Sequence, residues 1–284
     1  MQPFDPRVTP ARPDLAASRL NGKVEAARFV QGEAREIIEA QVPVRGSPRP
    51  DASLMTEALK GERVTVYETT EEGWAWGQLE TDGYVGWLPA NAIASPGAAP
   101  THTVAVPRTL VFPGPSIKLV PIEALPFGAR LAIARTEGPL SRVASGGYVP
   151  ARHLVSIEAN ADDAVAVAEM FLHVPYLWGG KTSAGMDCSG LVQVAFMACG
   201  ISCPRDSDMQ EDAIGLELAM PSAFSEPRRG DLIFWEGHVA IVRDGETLIH
   251  ANAFHMAVAI EPIRDAIERI SAAGSEVTRV RRTR

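Results

Sequence analysis

The sequence predicts a multidomain chain: two small all-β barrels followed by an α+β domain. Three observations carry this reading. First, two blocks recur. Gly61-Glu62-Arg63-Val64-Thr65-Val66 matches Gly128-Ala129-Arg130-Leu131-Ala132-Ile133, and Gly86-Trp87-Leu88-Pro89-Ala90-Asn91-Ala92-Ile93 matches Gly147-Tyr148-Val149-Pro150-Ala151-Arg152-His153-Leu154. Second, 17 of the 22 prolines lie in residues 1–150. Third, beyond about Glu158 the apolar spacing changes from alternating to helical. At about 150 residues per domain, 284 residues suggest two domains; the repeat raises this to three.

The elements follow in order. Residues 1–40 read as an arm: four prolines precede Asp14, which suits the N-cap of a short helix, and strands with a turn at Gly32 come next. Residues 41–97 and 101–157 hold the two repeats, each a glycine followed by an alternating strand. Ser95–Pro100 reads as the linker between them. Residues 158–284 open with a helix over Asp162–His173, capped by Asn160 or Asp162 and stopped before Pro175. Leu191–Ala198 is apolar nearly all round, as a buried helix is, and Gly200 suits its end. Asp231–Trp235, His238–Arg243 and Thr247–Ala251 read as antiparallel strands, with Asp244-Gly245 as a hairpin signal.

Charge and composition exclude several functions. Subtracting 35 acidic from 27 basic residues leaves −8, which argues against nucleic acid as a partner. The basic run Arg279–Arg284 reads as an exposed tail. No stretch approaches the ~18 consecutive apolar residues of a membrane span. Three cysteines, Cys188, Cys199 and Cys203, exclude a disulfide framework and suit a reducing compartment. The first residues carry no apolar signal-like run, so the expectation is a cytoplasmic protein.

The chemistry gathers around Cys188. It precedes the buried helix, where the positive end of the helix dipole favours thiolate. Asp187 opposes this, so an aspartate there suggests another use, such as holding a substrate cation. Cys199 and Cys203 lie at and beyond the far end of the helix and read as ordinary thiols, without the ligand pairs of a metal site. A thiol nucleophile needs a base, and the base needs an orienting group. His238 and His250 flank a hairpin and can supply both. Strand parity tests the idea. A two-residue turn at Asp244-Gly245 would put the two histidines on opposite faces; a three-residue loop or a bulge would put them on one face. An odd loop or a bulge is therefore expected. His102, His153, His173 and His255 read as ordinary core or surface residues.

Five ordered motifs then carry a family resemblance: Pro175-Tyr176-Leu177-Trp178-Gly179-Gly180, Met186-Asp187-Cys188-Ser189-Gly190-Leu191-Val192, Arg229-Gly230-Asp231-Leu232-Ile233-Phe234-Trp235, His238-Val239-Ala240-Ile241-Val242 and Ile249-His250-Ala251. Over about residues 158–265 the chain resembles the NlpC-type bacterial cell-wall cysteine peptidases, which are papain-like. The upstream repeats resemble bacterial SH3-like domains, as in the subgroup of γ-D-glutamyl-L-diamino acid endopeptidases. The resemblance implies Cys188 as nucleophile, His238 as base and His250 as the polar third member. It implies that Tyr176 helps hold the substrate or the oxyanion. Arg205, Ser207 and Gln210 match the family's Arg-x-Ser-x-x-Gln stretch, with Ser207 on the substrate peptide. Asp187, with Ser189 beside it, would receive a free L-alanine ammonium, and Tyr84 of the first SH3-like domain would touch the substrate. Glu57 competes with Met55 for a further contact, which stays open. The implied substrate is a peptidoglycan stem peptide, L-Ala-γ-D-Glu-diamino acid, met in cell-wall recycling; no metal or organic cofactor is implied. An amidase or acyltransferase on the same scaffold, and a non-catalytic wall-binding protein, are the competing readings.

Overall fold

The computed structural model describes residues 4–219 and 226–283. The chain divides into two compact units, Met1–Glu158 and Ala159–Arg284. Among the described residues no helix is long and apolar enough to cross a membrane.

The first unit is all β. A seven-stranded sheet runs in the order Leu54–Leu59, Gln41–Arg45, Val85–Pro89, Trp74–Leu79, Arg63–Thr69, Glu33–Ile37 and Ile93–Ala94. Alternation along these strands sends Ile37, Val42, Val44, Val64, Leu79 and Leu88 into one core. The strand Glu33–Ile37, read from sequence as part of the arm, pairs with Arg63–Thr69 and Ile93–Ala94 and so belongs to this sheet.

The rest of the arm is irregular but anchored. The Val85 amide donates to the Arg7 carbonyl at 2.7 Å, and the Arg12 guanidinium lies 4.4 Å from the Trp76 ring centroid and 4.9 Å from that of Trp87. No helix starts at Asp14. Leu15 is fully buried against Trp76, Val85 and Trp87, Ala16–Ala17 pair with Phe29–Val30, and only a 3-10 turn, Ser18–Leu20, follows. Packing of one leucine and strand pairing outweigh the cap signal.

Residues 102–156 form short antiparallel strands around Val104, Val111, Leu125, Leu131, Val143 and Val149. Their local structure repeats that of the first sheet. Gly61 and Gly128 both adopt left-handed φ, +80° and +86°. Val85–Pro89 leads into the 3-10 turn Ala90–Ala92, and Tyr148–Pro150 leads into Ala151–His153.

The second unit mixes helix and sheet. Its six-stranded antiparallel sheet runs Leu216–Glu217, Val277–Arg282, Leu232–Trp235, His238–Val242, Thr247–Asn252, Ala257–Pro262. The helix Ile263–Ala272 buries Ile263 and Ala266 on the face formed by Ile233, Trp235, Ala240, Val242 and Leu248. The helix Cys188–Ala198 is buried from Cys188 to Gln193, and Gly200 follows it at φ +75°. The first helix is shorter than expected, Ala164–Glu169, and its N-cap is Asp163, whose Oδ1 accepts from the Val165 amide at 2.9 Å. The basic run is no loose tail. Val277–Arg282 is a strand inside the sheet, Arg279 pairs with Asp212 and Arg282 with Asp231; Arg284 lies outside the described residues.

Candidate active site

Cys188 is the first residue of its helix, and Asp187 is the N-cap. Asp187 Oδ1 accepts from the Gly190 amide at 2.7 Å and Oδ2 from the Gly179 amide at 2.7 Å. Arg205 closes the cluster. Its Nη1 donates to Asp187 Oδ1 at 2.9 Å and its Nη2 to Asp187 Oδ2 at 2.8 Å, a bidentate pair with the arginine side chain 1% exposed. Arg205 also donates to Ser189 Oγ and to the Gly180 carbonyl. Gln210 Nε2 donates to the Ser189 and Pro204 carbonyls, binding the Pro204–Gln210 stretch to the same turn. The aspartate that the sequence reserved for a substrate cation thus already shares its charge with Arg205. Sequence reasoning counted Arg205 as a motif position and missed this pairing, because 18 residues separate the partners.

The histidine pair obeys the parity argument. Ile241 pairs with Ile249 and Val242 with Leu248. The loop is therefore the three residues Asp244, Gly245 and Glu246, with Asp244 Oδ1 accepting from the Glu246 and Thr247 amides. Continuing this register sets Ala240 opposite His250, so His238 and His250 share a face. Their rings meet: His238 Nε2 lies 2.9 Å from His250 Nδ1. Sequence reasoning missed the next member. His250 is opposite Ala259 and Leu248 opposite Glu261, so Glu261 stands on that face too. His250 Nε2 is 2.7 Å from Glu261 Oε1, and Arg269 from the following helix also donates to Oε1. An acidic residue directly after the apolar run Ala257–Ile260 was the available signal.

Burial dominates the electrostatics. It pushes the Cys188 thiol up to about 12, with the charge of Asp187 adding to it; N–H groups of Val239 and Ser189 pull the other way and lose. The expected lowering by the helix dipole is thus outweighed. Burial also pushes His238 down to about 3, assisted by His250 and Arg269. His250 is lowered by burial against the pull of Glu261. At neutral pH the thiol and the imidazole, each taken alone, are uncharged. The Val239 amide near the sulfur places Cys188 at the His238 end of the sheet. Because His238 Nε2 meets His250, Nδ1 is the ring nitrogen left for another partner.

Tyr176 is half-buried, and burial, Cys188 and Asp187 all raise its pKa, so it stays a neutral O–H donor beside the thiol. Ser189 is buried, its hydroxyl donating to Asp187 at 3.3 Å. Ser207 is half-buried and begins the helix Ser207–Ala213. Tyr84 and Glu57 belong to the first unit. The Tyr84 ring is 1% exposed within the first sheet's core, and Glu57 is buried and accepts from Gln41. Among the described residues, one group could hold a metal ion: His250, His255 and Glu261, with ligand atoms within 4.8 Å of one another. Arg269 already occupies the same glutamate oxygen, which opposes a cation there.

Comparison with known proteins agrees with this architecture. The family model described as the bacterial dipeptidyl-peptidase Sh3 domain matches residues 44–93, and that of the NlpC/P60 family matches residues 173–271. The first match ends before residue 101, so the matches cover one SH3-like β domain and a mixed α/β NlpC/P60 domain and do not reach the second barrel expected from the sequence. The chain is 27% identical to a gamma-D-glutamyl-L-lysine dipeptidyl-peptidase of Bacillus cereus, over 74% of this chain and 71% of the relative. It is 26% identical to dipeptidyl-peptidase 6 of Lysinibacillus sphaericus, over 76% of this chain and 86% of the relative. The crystal structure of an NlpC/P60 family protein from Bacillus cereus shares the fold, with a TM-score of 0.73 at 23% identity, covering 88% of this chain and 99% of that one.

Proposed function

We propose that this chain, with its NlpC/P60 cysteine peptidase match and its SH3-like domain, is an endopeptidase cutting the γ-D-glutamyl–diamino acid bond of peptidoglycan stem peptides. The observations that support the reading are a buried thiol at a helix start, met by the backbone N–H of Val239 next to His238 in the chain, and two hydrogen-bonded imidazoles on one face of the six-stranded sheet.

The mechanism follows from these positions. Cys188 attacks the γ-D-glutamyl carbonyl carbon while its proton passes to His238 Nδ1. Separate ionisation of either group is disfavoured by burial, so attack and proton transfer are coupled. The carbonyl oxygen becomes an anion that the backbone N–H of Cys188 stabilises, since first-turn amides lack an intrahelical partner. Tyr176 donates to the same oxygen or to the bound peptide. Collapse breaks the amide C–N bond, His238 returns the proton to the departing amine, and a thioester remains. Water, deprotonated by His238, then releases the acid and the free thiol.

For a free L-alanine N-terminus the reading relies on Asp187, whose charge is shared with Arg205, and on Ser189, with Ser207 along the peptide. Residues 101–157 are a second SH3-like domain, on the strength of the repeated glycine turn and strand–3-10 step. Three free thiols support action in a reducing interior, on recycled fragments.

The test uses L-Ala-γ-D-Glu-diamino acid tripeptide, the same peptide with a blocked N-terminus, and Cys188→Ala. Cleavage of the free peptide alone, abolished in the variant, is expected. Equal cleavage of both peptides would remove the free-amine requirement, and activity in Cys188→Ala would remove the mechanism.

A further inference from the structure

We propose that Glu261 is a positioning residue for the histidine pair, fixing the protonated nitrogens of both rings and extending the Cys188–His238–His250 set to a fourth member. This rests on the function proposed above for those three residues.

Donors and acceptors fix both tautomers. A carboxylate only accepts, so His250 Nε2, 2.7 Å from Glu261 Oε1, carries the hydrogen. His250 Nδ1 is then an acceptor when the ring is neutral, and His238 Nε2, 2.9 Å away, must donate to it. That leaves His238 with a bare Nδ1, the state a base requires. Reversing the His250 tautomer would set a lone pair against the carboxylate and two N–H groups against each other. The His250 side chain is fully buried, so no water relieves the mismatch.

Glu261 is itself secured. Its side chain is 11% exposed and paired with Arg269. The Arg269 guanidinium lies 4.5 Å from the Phe254 ring centroid, so the arginine is held on two sides. The carboxyl stays ionised, pushed down to about 2 by hydrogen bonds from His250 and Arg269 that overcome its burial. An ionised Glu261 also favours the imidazolium that forms when His238 takes the thiol proton. The other groups facing His250 are His238, His255 and Arg269; those facing Cys188 are Asp187, Arg205 and Tyr176.

The test has two arms on the full chain. In the wild type, 15N NMR of the imidazoles is expected to find His250 protonated on Nε2 and His238 bare on Nδ1; His250 protonated on Nδ1 alone would overturn the proposal without any variant. In the second arm, Cys188 alkylation by iodoacetamide is followed against pH by peptide mass spectrometry for wild type, Glu261→Gln and Glu261→Asp. Glutamine keeps the shape but offers both a donor and an acceptor and no charge. Glu261→Gln is expected to alkylate about tenfold more slowly at pH 7, as a one-unit loss of His238 basicity implies, and Glu261→Asp to recover most of the rate. Folded Glu261→Gln with a wild-type pH profile would sink the idea, since a merely structural role predicts that. Alkylation does not depend on the peptide. A wild type that leaves the tripeptide uncut while showing these tautomers and shifts would therefore fail the substrate reading and uphold this one.

Discussion

Replacing Arg205 by methionine tests the clamp at the head of the nucleophile helix. The guanidinium and the Asp187 carboxylate meet at 2.9 and 2.8 Å with side chains 1% and 10% exposed. Removing one partner of such a pair leaves a buried charge and costs about 3–5 kcal/mol. Asp187 would keep the Gly179 and Gly190 amides and the Ser189 hydroxyl, which favours the lower end. With a urea dependence of about 2 kcal/mol per molar, the midpoint falls by roughly 1.5–2.5 M. All three cysteines lie in the second unit, and Cys203 is 3% exposed. Its labelling by a thiol reagent against urea therefore follows that unit alone. Asp187→Asn in the Arg205→Met background removes the stranded charge, so the double variant should recover at least about 1 kcal/mol over simple addition. A shift below about 0.5 M, or strict additivity of the two changes, would show that the pair does not hold the turn together.

Other outcomes follow from the same geometry. Deleting Glu246 shortens the hairpin loop to two residues and turns His250 to the opposite face, so peptide cleavage should be lost while the strands, by circular dichroism, remain. Stability should be greatest between about pH 6.5 and 9. Below it the unfolded chain protonates His238 (ordinary value 6.5, about 3 when folded), so stability falls with pH; above it the unfolded chain releases the Cys188 proton first (9.0 against about 12), so stability falls as pH rises. His238→Ala should flatten the acid limb and Cys188→Ala the alkaline one in urea titrations. Gly190→Ala would place a methyl 2.3 Å from the Gly180 carbonyl oxygen and 2.9 Å from Asp187 Oδ1, and should cost about 1–3 kcal/mol of stability in the same assay.

The sequence disclosed features that rest on local pattern. The repeated glycine turns, the strand order around the hairpin and the odd loop between the histidines were all readable, because strand parity is a strict period of two. Features resting on distant pairs were not. Arg205 meets Asp187, and Glu261 meets His250, only after the chain has folded. Asp14 carried a cap signal, yet Leu15 is taken by the Trp76–Trp87 pocket instead. The final arginines looked like a tail because period-two alternation in Val277–Arg282 is hidden by long charged side chains, which pair with Asp212 and Asp231 at the sheet. The Cys188 thiol was placed correctly at a helix start, but its protonation depends on burial that no local pattern reports.

One arrangement in the second unit bears on how any peptide can be held. The chain at His173–Tyr176 runs along the end of Ala257–Pro262: the His173 amide donates to the Val258 carbonyl, the Val258 amide to that of Val174, and the Tyr176 amide to that of Met256. The edge of the sheet at Met256–Val258 is thus occupied by the protein's own backbone. A guest peptide there cannot dock as an added strand, the usual sequence-tolerant way of gripping an extended main chain. Recognition must fall on side chains and termini instead. That suits a ligand whose backbone is interrupted by a γ-linkage, and it keeps ordinary polypeptides, including neighbouring copies, from being seized at the reactive end.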